Sequence, residues 1–172
     1  MNNIMLDLET MGSEANSAII SIGAVKFNDT EVTSKFHEIV DLQSCIDAGL
    51  NVTASTVLWW MGQSDEARSQ FNSDDKIDIR SALNKFSTWV GDDAIVWGNG
   101  ANFDNTILAN AYNKTRIDLP WKFWNNRCYR TVKNLYPEIK INRVGTFHKA
   151  VDDAETQALH LIEIMKEIKG NK

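Results

Sequence analysis

The feature that most constrains this chain is the stretch at residues 3–12, where apolar residues alternate with two acids and end at Thr-Met-Gly. The pattern predicts a central β-strand, because strand side chains point to alternate faces with a period of two residues. Asp7 and Glu9 are therefore expected side by side on one face. Adjacent carboxylates in an apolar sheet repel each other unless a positive group lies between them.

Two interpretations of this pair are open from the stretch alone. A hard divalent cation, Mg²⁺ or Mn²⁺, prefers oxygen ligands and is usually held by a few carboxylates, water and substrate phosphate. Alternatively, one acid faces solvent at the strand end and the other caps the following turn. Further carboxylates and a base at suitable places would favour the metal site.

The 172 residues suffice for one domain with a full hydrophobic core, so we expect a single domain over residues 1–172. Cys45 and Cys128 lack the spacing of a zinc site and are expected to be reduced thiols. We find no secretion signal and no apolar run of about 18 residues, so we expect a soluble cytoplasmic protein without a membrane partner.

The charge is distributed unevenly along the chain. The net charge is −5, but residues 112–149 hold nine basic and two acidic residues, a local +7 that leaves −12 on the rest. Such a segment either meets phosphates or forms a solvated surface.

The remaining chain predicts an α/β domain. Segments 18–27 and 31–40 complete a three-stranded antiparallel meander with the first strand. Helical patterns follow at 42–48, 53–61, 64–68, 79–90, 101–111, 127–135 and 152–169, a buried strand at 94–97, and a loop at 114–124. A meander followed by βα units indicates a mixed sheet flanked by helices.

Two more acids fit the opening pair. Asp104 follows the Gly-rich turn after the buried strand, and Asp153 opens the last helix, five residues after His148. Four such acids can hold two cations about 3.5–4 Å apart around a phosphodiester, one activating water and the other stabilising the leaving oxygen. A histidine beside them can take the proton of the attacking water.

These residues carry a family resemblance. Asp7-Leu8-Glu9-Thr10, Asn102-Phe103-Asp104 and His148 with Asp153 resemble the three motifs of the DEDDh 3′–5′ exonucleases, of the ribonuclease-H-like superfamily. The motifs span nearly the whole chain in the expected order. Residues 56–64 and 122–125 and the compact length are most similar to phage-encoded exonucleases and their bacterial exoribonuclease relatives.

The resemblance implies a ribonuclease-H-like fold, with Asp7, Glu9, Asp104 and Asp153 as ligands of two Mg²⁺ or Mn²⁺ ions and His148 as general base. It implies 3′–5′ hydrolysis of single-stranded DNA or RNA with a free 3′ end to nucleoside 5′-monophosphates, by a monomer or homodimer. A phage-encoded enzyme would act in the host cytoplasm. The alternatives are an oligoribonuclease-like enzyme for short or structured RNA ends and a non-catalytic nucleic-acid-binding module of the same fold.

Several residues are expected near the substrate. The resemblance places Thr10 and Met11 near the terminal nucleotide, and Asn102 and Phe103 belong to its second motif. Trp59 and Trp60 diverge by about 100° on a helix, so only one can be fully buried; the other either stacks on a base or packs in the core.

Further aromatic, histidine and acidic residues are not part of the three motifs. Trp121, Phe123 and Trp124, interleaved with Lys122 and Arg127, suit either substrate contact or a hydrophobic cluster under a long loop. His37 and His160 lack acidic neighbours at ligand spacing and are expected to be structural or surface residues. Asp152 is expected to cap the last helix, leaving the metal to Asp153.

Overall fold

The structure, a computed structural model, describes residues 2–170; residue 1 and residues 171–172 of the predicted domain lie outside this range. Its sheet has the strand order β3-β2-β1-β4-β5. The strands are β1 (Asn2–Thr10), β2 (Ile19–Phe27), β3 (Val32–Ile39), β4 (Ala94–Gly98) and β5 (Asn126–Cys128). The first three pair antiparallel, whereas β4 and β5 run parallel to β1. The predicted meander and mixed sheet are confirmed.

Seven α-helices surround this sheet within the described residues. They are α1 (Leu42–Asp47), α2 (Ala54–Met61), α3 (Asp65–Arg68), α4 (Ile79–Val90), α5 (Asp104–Thr115), α6 (Tyr129–Leu135) and α7 (Ala150–Gly170). Side-chain caps explain several starts: Asp78 accepts the N–H groups of Arg80 and Ser81 before α4, and Ser64 accepts that of Ala67 at α3. None of the helices between residues 2 and 170 has the length and apolar character needed to span a lipid bilayer.

Three predicted boundaries are wrong. Residues 126–128 form the edge strand β5, so the helix predicted from Arg127 begins at Tyr129. The helix predicted at 101–111 begins at Asp104 and continues to Thr115, into the predicted loop. The last helix begins at Ala150, two residues before the predicted start. A three-residue strand has no periodicity of its own and exists because β4 offers it a parallel partner.

The two faces of β1 pack against different helices. Ile4, Leu6 and Leu8 belong to one buried cluster, which includes Phe86 of α4 and Ile107 of α5. Met5, on the opposite face, joins a second cluster with Ala154, Ala158 and Leu161 of α7. Because strand side chains alternate, Asp7 and Glu9 continue the Met5 row, on the α7 side of the sheet.

Helix α7 begins in direct contact with the sheet. A Cβ atom placed on Gly23 of β2 would lie 2.1 Å from the carbonyl carbon of Ala150 and 2.2 Å from the backbone nitrogen of Val151. Only a residue without a side chain allows this approach. The first turn of α7 is therefore fixed beside β1 and β2, where the acids lie.

Candidate active site

Three carboxyl groups meet where β1 passes the start of α7. Asp7 and Glu9 come from the strand, and Asp153 comes from the first turn of the helix. One carboxylate oxygen of each lies within 4.8 Å of those of the other two. A hard divalent cation binds oxygen sets of this kind.

The fourth acid, Asp104, lies against the backbone of β1. Its side chain is 3% exposed, and its Oδ1 accepts the N–H of Leu8 at 3.1 Å. A Cβ atom on Gly98 would lie 3.1 Å from Asp104 Oδ2 and 2.4 Å from Asn105 Oδ1, so this glycine lets α5 begin directly against the end of β4. Asp104 is outside the three-carboxylate group but lines the same cleft.

The acids destabilise one another's charge. Burial, followed by the charges of Asp104, Glu9 and Asp153, raises the pKa of Asp7 well above its usual range, while the Gln157 amide opposes the shift. Burial and the charges of Asp153 and Asp104 raise the pKa of Glu9 to about 8. Burial raises the pKa of Asp104 to about 7, against hydrogen bonds from backbone N–H groups. A bound cation would instead favour the ionised forms.

Gln157 provides a test of whether the site fits a cation. Its Nε2 donates to Asp7 Oδ1 at 2.7 Å, and its Oε1 is buried without a hydrogen-bond partner among the described residues. Buried polar atoms are nearly always paired. A metal centre in which water molecules complete the shell of the cation would leave this oxygen without a protein partner beside the three carboxylates. These residues therefore fit a divalent metal ion.

Arg143 is a cation that the chain itself places against one of the acids. Its guanidinium forms an ion pair with Asp153 and donates to the carbonyl of Thr146. It also lies 4.3 Å from the ring centroid of Phe147. Arg143 therefore ties the loop before α7 to one of the acids.

His148 lies in this loop, beside the acids and against two tryptophan rings. The His148 ring makes edge-to-face contacts with Trp59 and Trp60, with centroid distances of 5.1 and 6.1 Å. Trp60 is buried and donates its indole N–H to the carbonyl of Thr10 at 2.9 Å. Trp59 is 46% exposed. Of the two adjacent tryptophans, Trp60 thus anchors α2 to β1, and Trp59 presents its ring to the cleft.

The four acids, His148 and the two tryptophans line one open cleft of about 370 Å³. The cleft contains all five predicted catalytic residues and four of the six predicted substrate contacts: Asp7, Glu9, Asp104, His148, Asp153, Thr10, Trp59, Trp60 and Phe103. Met11 is buried in the first cluster, and Asn102 is exposed outside the cleft lining. Met11 lies inside because the chain turns immediately after β1, where its backbone bonds with Ala18 and Thr53.

The other predicted candidates have different roles. Asp152 accepts the N–H of Thr146 at 2.9 Å, so it holds the preceding loop instead of capping the helix. His160 is buried, with Nδ1 2.7 Å from the hydroxyl of Tyr129 and Nε2 2.9 Å from the carbonyl oxygen of Ile139, as expected of a structural residue.

The aromatic residues near position 122 are divided between core and surface. Trp121 is buried and donates to Asn126, whereas Phe123 and Trp124 are 72% and 61% exposed. All three lie outside the cleft lining. The substrate interpretation therefore finds no support from the cleft, and the cluster interpretation applies to Trp121 alone.

Three residues at the site were not predicted from the sequence: Gln157, Arg130 and Arg143. Gln157 follows Asp153 by four residues, which places the two on one face of α7, and this spacing was a usable signal. Arg130, in α6, lines the cleft and donates to the carbonyl of Asn99 at 2.5 Å. Both arginines belong to the basic segment 112–149, but the sequence does not indicate which of its nine cations reach the acids.

Comparisons with known proteins agree with this geometry. Residues 2–165 match the family model described as the 3′-5′ exoribonuclease Rv2179c-like domain. An exodeoxyribonuclease of Enterobacteria phage T4 is 31% identical over 160 residues, covering 76% of this chain and 70% of the phage protein. The PolC-type DNA polymerase III of Bacillus subtilis (strain 168) is 28% identical over 179 residues, covering 95% of this chain but only 11% of the polymerase.

Solved structures show the same fold at low sequence identity. The nuclease domain of 3′hExo, a DEDDh family member bound to rAMP, has a TM-score of 0.65 and 14% identity, over 96% of this chain and 92% of that domain. E. coli exonuclease I in complex with a dT13 oligonucleotide has a TM-score of 0.65 and 12% identity, over 99% of this chain and 42% of its own.

Proposed function

Since this chain belongs to the 3′-5′ exoribonuclease Rv2179c-like domain family and is a 3′–5′ exonuclease, we propose that it removes single nucleotides from the 3′ end of single-stranded nucleic acid. The products are nucleoside 5′-monophosphates, and residues 2–170 act as one exonuclease domain. The carboxylates of Asp7, Glu9 and Asp153, within 4.8 Å of one another in an open cleft, are the observation that carries this proposal.

Asp7, Glu9, Asp104 and Asp153 are the residues that would hold two Mg²⁺ or Mn²⁺ ions. When bound, such ions make water nucleophilic at neutral pH and stabilise the leaving oxygen. The chain's own groups orient the ligands: Gln157 fixes one oxygen of Asp7, and the N–H of Leu8 fixes one oxygen of Asp104. Outer contacts of this kind hold carboxylate ligands in place.

His148 is the proposed general base. It lines the cleft with the acids, on a loop that one helical turn connects to Asp153, so its ring can take a proton from water held beside the acids. Its edge contacts with Trp59 and Trp60 limit the directions in which the ring can turn.

The cleft also offers groups for the nucleotide itself. The half-exposed ring of Trp59 provides a surface on which a base can stack, and Arg130 brings a guanidinium suited to phosphate oxygens. Stacking accepts every base, which suits an enzyme that shortens a strand regardless of sequence. The family name refers to RNA and the phage relative to DNA, so the sugar preference is left to experiment.

The test incubates the protein with 5′-labelled single-stranded DNA and RNA of matched sequence in Mg²⁺, in Mn²⁺ and in chelator. We expect a ladder that shortens from the 3′ end only with metal, the release of 5′-monophosphates, and no ladder from the Asp7→Asn variant. The faster ladder identifies the sugar. Binding without cleavage in either metal would refute the proposal and leave a nucleic-acid-binding module of the same fold.

A further inference from the structure

The His148 loop, which connects α6 to α7 over residues 136–149, has open space on both sides of His148. One side is the cleft of about 370 Å³, and the other is a second cavity of about 580 Å³, whose lining includes His37, Gln70, Lys149 and His148 itself. Packing alone therefore does not fix this loop. Hydrogen bonds must hold the loop as well, and those that involve Arg143 and Asp152 reach it at Thr146, two residues before His148.

The backbone at His148 is also strained. Its φ angle is +59°, in the left-handed region that residues other than glycine rarely adopt. Such a conformation persists only where surrounding contacts enforce it. On the C-terminal side, the carbonyl of Lys149 accepts the N–H groups of Asp152 and Asp153 at 2.9 and 3.0 Å, which ties the next residue to α7. The carbonyl of His148 itself has a different partner.

That partner is Gln70, in the 3₁₀ turn Ser69–Asn72 that follows α3. Gln70 is 9% exposed, and both the nitrogen and the oxygen of its side-chain amide form hydrogen bonds. Its Nε2 donates to the carbonyls of Ala67 at 2.8 Å and of His148 at 3.3 Å, and its Oε1 accepts the hydroxyl of Ser21 at 2.9 Å. Ser21 is fully buried in β2, so a chain of hydrogen bonds connects the His148 backbone to the sheet.

We propose that Gln70 is a positioning residue of the exonuclease: its amide holds the backbone of His148 so that the imidazole faces the acids across the cleft. This inference rests on the proposed function, because it assigns Gln70 no contact with substrate or metal. Its effect on turnover passes entirely through His148.

The rate of proton transfer to His148 depends on distance and angle. A general base acts only within hydrogen-bond reach of the proton it removes, and a misplacement of about 1 Å can slow an enzyme by about 10²-fold. Without the Gln70 amide, the His148 carbonyl loses its donor, and the second cavity gives the loop room to relax. The acids remain in place, because Asp7 and Glu9 are on β1 and Asp153 is on α7.

The test is Gln70→Met, which keeps the length of the side chain and removes its hydrogen bonds, with Gln43→Met as the matched control. Gln43 is exposed on α1, and its amide pairs with Asp47 outside the cleft. Steady-state kinetics on the better substrate should show kcat lower by about 10-fold or more, KM nearly unchanged, and the calorimetric affinity for Mn²⁺ retained. The Gln43 variant should match the native enzyme.

A double-mutant cycle separates positioning from general damage. If Gln70 acts through His148, then Gln70→Met added to His148→Ala should cause no further loss of kcat, because the two changes remove one function. A further loss as large as that in the native background would overturn the inference. A native kcat for Gln70→Met, together with a lowered kcat for His148→Ala, would also overturn the inference. That result would leave the proposed function standing.

Two more results are informative. If His148→Ala turns over at the native rate, the general-base assignment of the proposed function fails first, and that variant alone reveals it. If Gln70→Met does not fold, Ser21→Ala replaces it as the test, because it removes only the hydroxyl that orients the Gln70 amide. This variant should also have a lower kcat, with its Mn²⁺ affinity retained. A native kcat in that folded variant would count against the inference.

Discussion

Replacing Glu9 by glutamine removes a carboxyl group that the metal-free fold holds in an unfavourable place. Glu9 is 8% exposed, and burial, followed by the charges of Asp153 and Asp104, raises its pKa from 4.5 to about 8. The folded chain thus keeps a proton that the unfolded chain releases near pH 4.5. The free energy of unfolding therefore falls as pH rises from about 4.5 to about 8, and this loss of stability is constant at higher pH.

The size of this loss in stability follows from the width of the pH interval over which the folded chain keeps the proton. At about 1.36 kcal/mol per pH unit, the interval from pH 4.5 to pH 7 corresponds to about 3 kcal/mol of lost stability in the native chain. Glu9→Gln has no proton to lose, so it should recover about this amount at pH 7 and less than about 1 kcal/mol at pH 5. For a chain of this length, 3 kcal/mol raises Tm by about 6–12 °C.

The assay is thermal and urea unfolding in chelator at pH 5, 7 and 9, for the native protein, Glu9→Gln and the control Glu138→Gln, whose side chain is exposed. Saturating Mn²⁺ should stabilise the native protein more than Glu9→Gln and narrow the gap, because the cation favours the ionised acid. The same gain at pH 5 and pH 9, or a gain equal to that of the control, would refute the electrostatic reasoning.

Three other changes test the site and its support. His148→Ala should slow hydrolysis by about 10²–10⁴-fold while calorimetric Mn²⁺ binding is retained; an unaltered rate would remove His148 from the mechanism. Trp59→Ala should raise KM by the equivalent of about 1–3 kcal/mol of lost stacking. Trp124 is exposed outside the cleft, so Trp124→Ala should leave KM unchanged, and an equal rise in KM for both variants would contradict the stacking role of Trp59. Gly23→Ala should lower the free energy of unfolding in urea by about 1–3 kcal/mol and remove most of the activity, because the added methyl group would meet the backbone of Ala150. A variant as stable as the native protein would show that α7 can shift without consequence.

The sequence predicts most of the site because its strongest signals are local. The alternation at residues 3–12 places Asp7 and Glu9 on one face whatever packs against the strand, and the structure has them there. Which face meets α7 depends on residues about 145 positions away, and the alternation does not contain that information.

The parts that the sequence does not predict are set by tertiary contacts. The edge strand 126–128 depends on β4, and the burial of Trp60 but not Trp59 depends on a hydrogen bond to Thr10. The role of Gln70 could not be predicted from the sequence, because it is a glutamine in a polar turn. Its hydrogen bonds to Ser21 of β2 and to the carbonyl of His148 exist only in the folded chain.

The two halves of the acidic group are far apart in the order of synthesis. Asp7 and Glu9 are made with β1, whereas Asp153 and the helix that carries it follow after residue 150. At about 5–20 residues per second, some 140 intervening residues take about 7–28 s to translate. During that interval the growing chain carries two of the acids without the third. Any proteolytic fragment that ends before α7 also lacks Asp153, so the three-carboxylate group is complete only once the last helix has packed against the sheet.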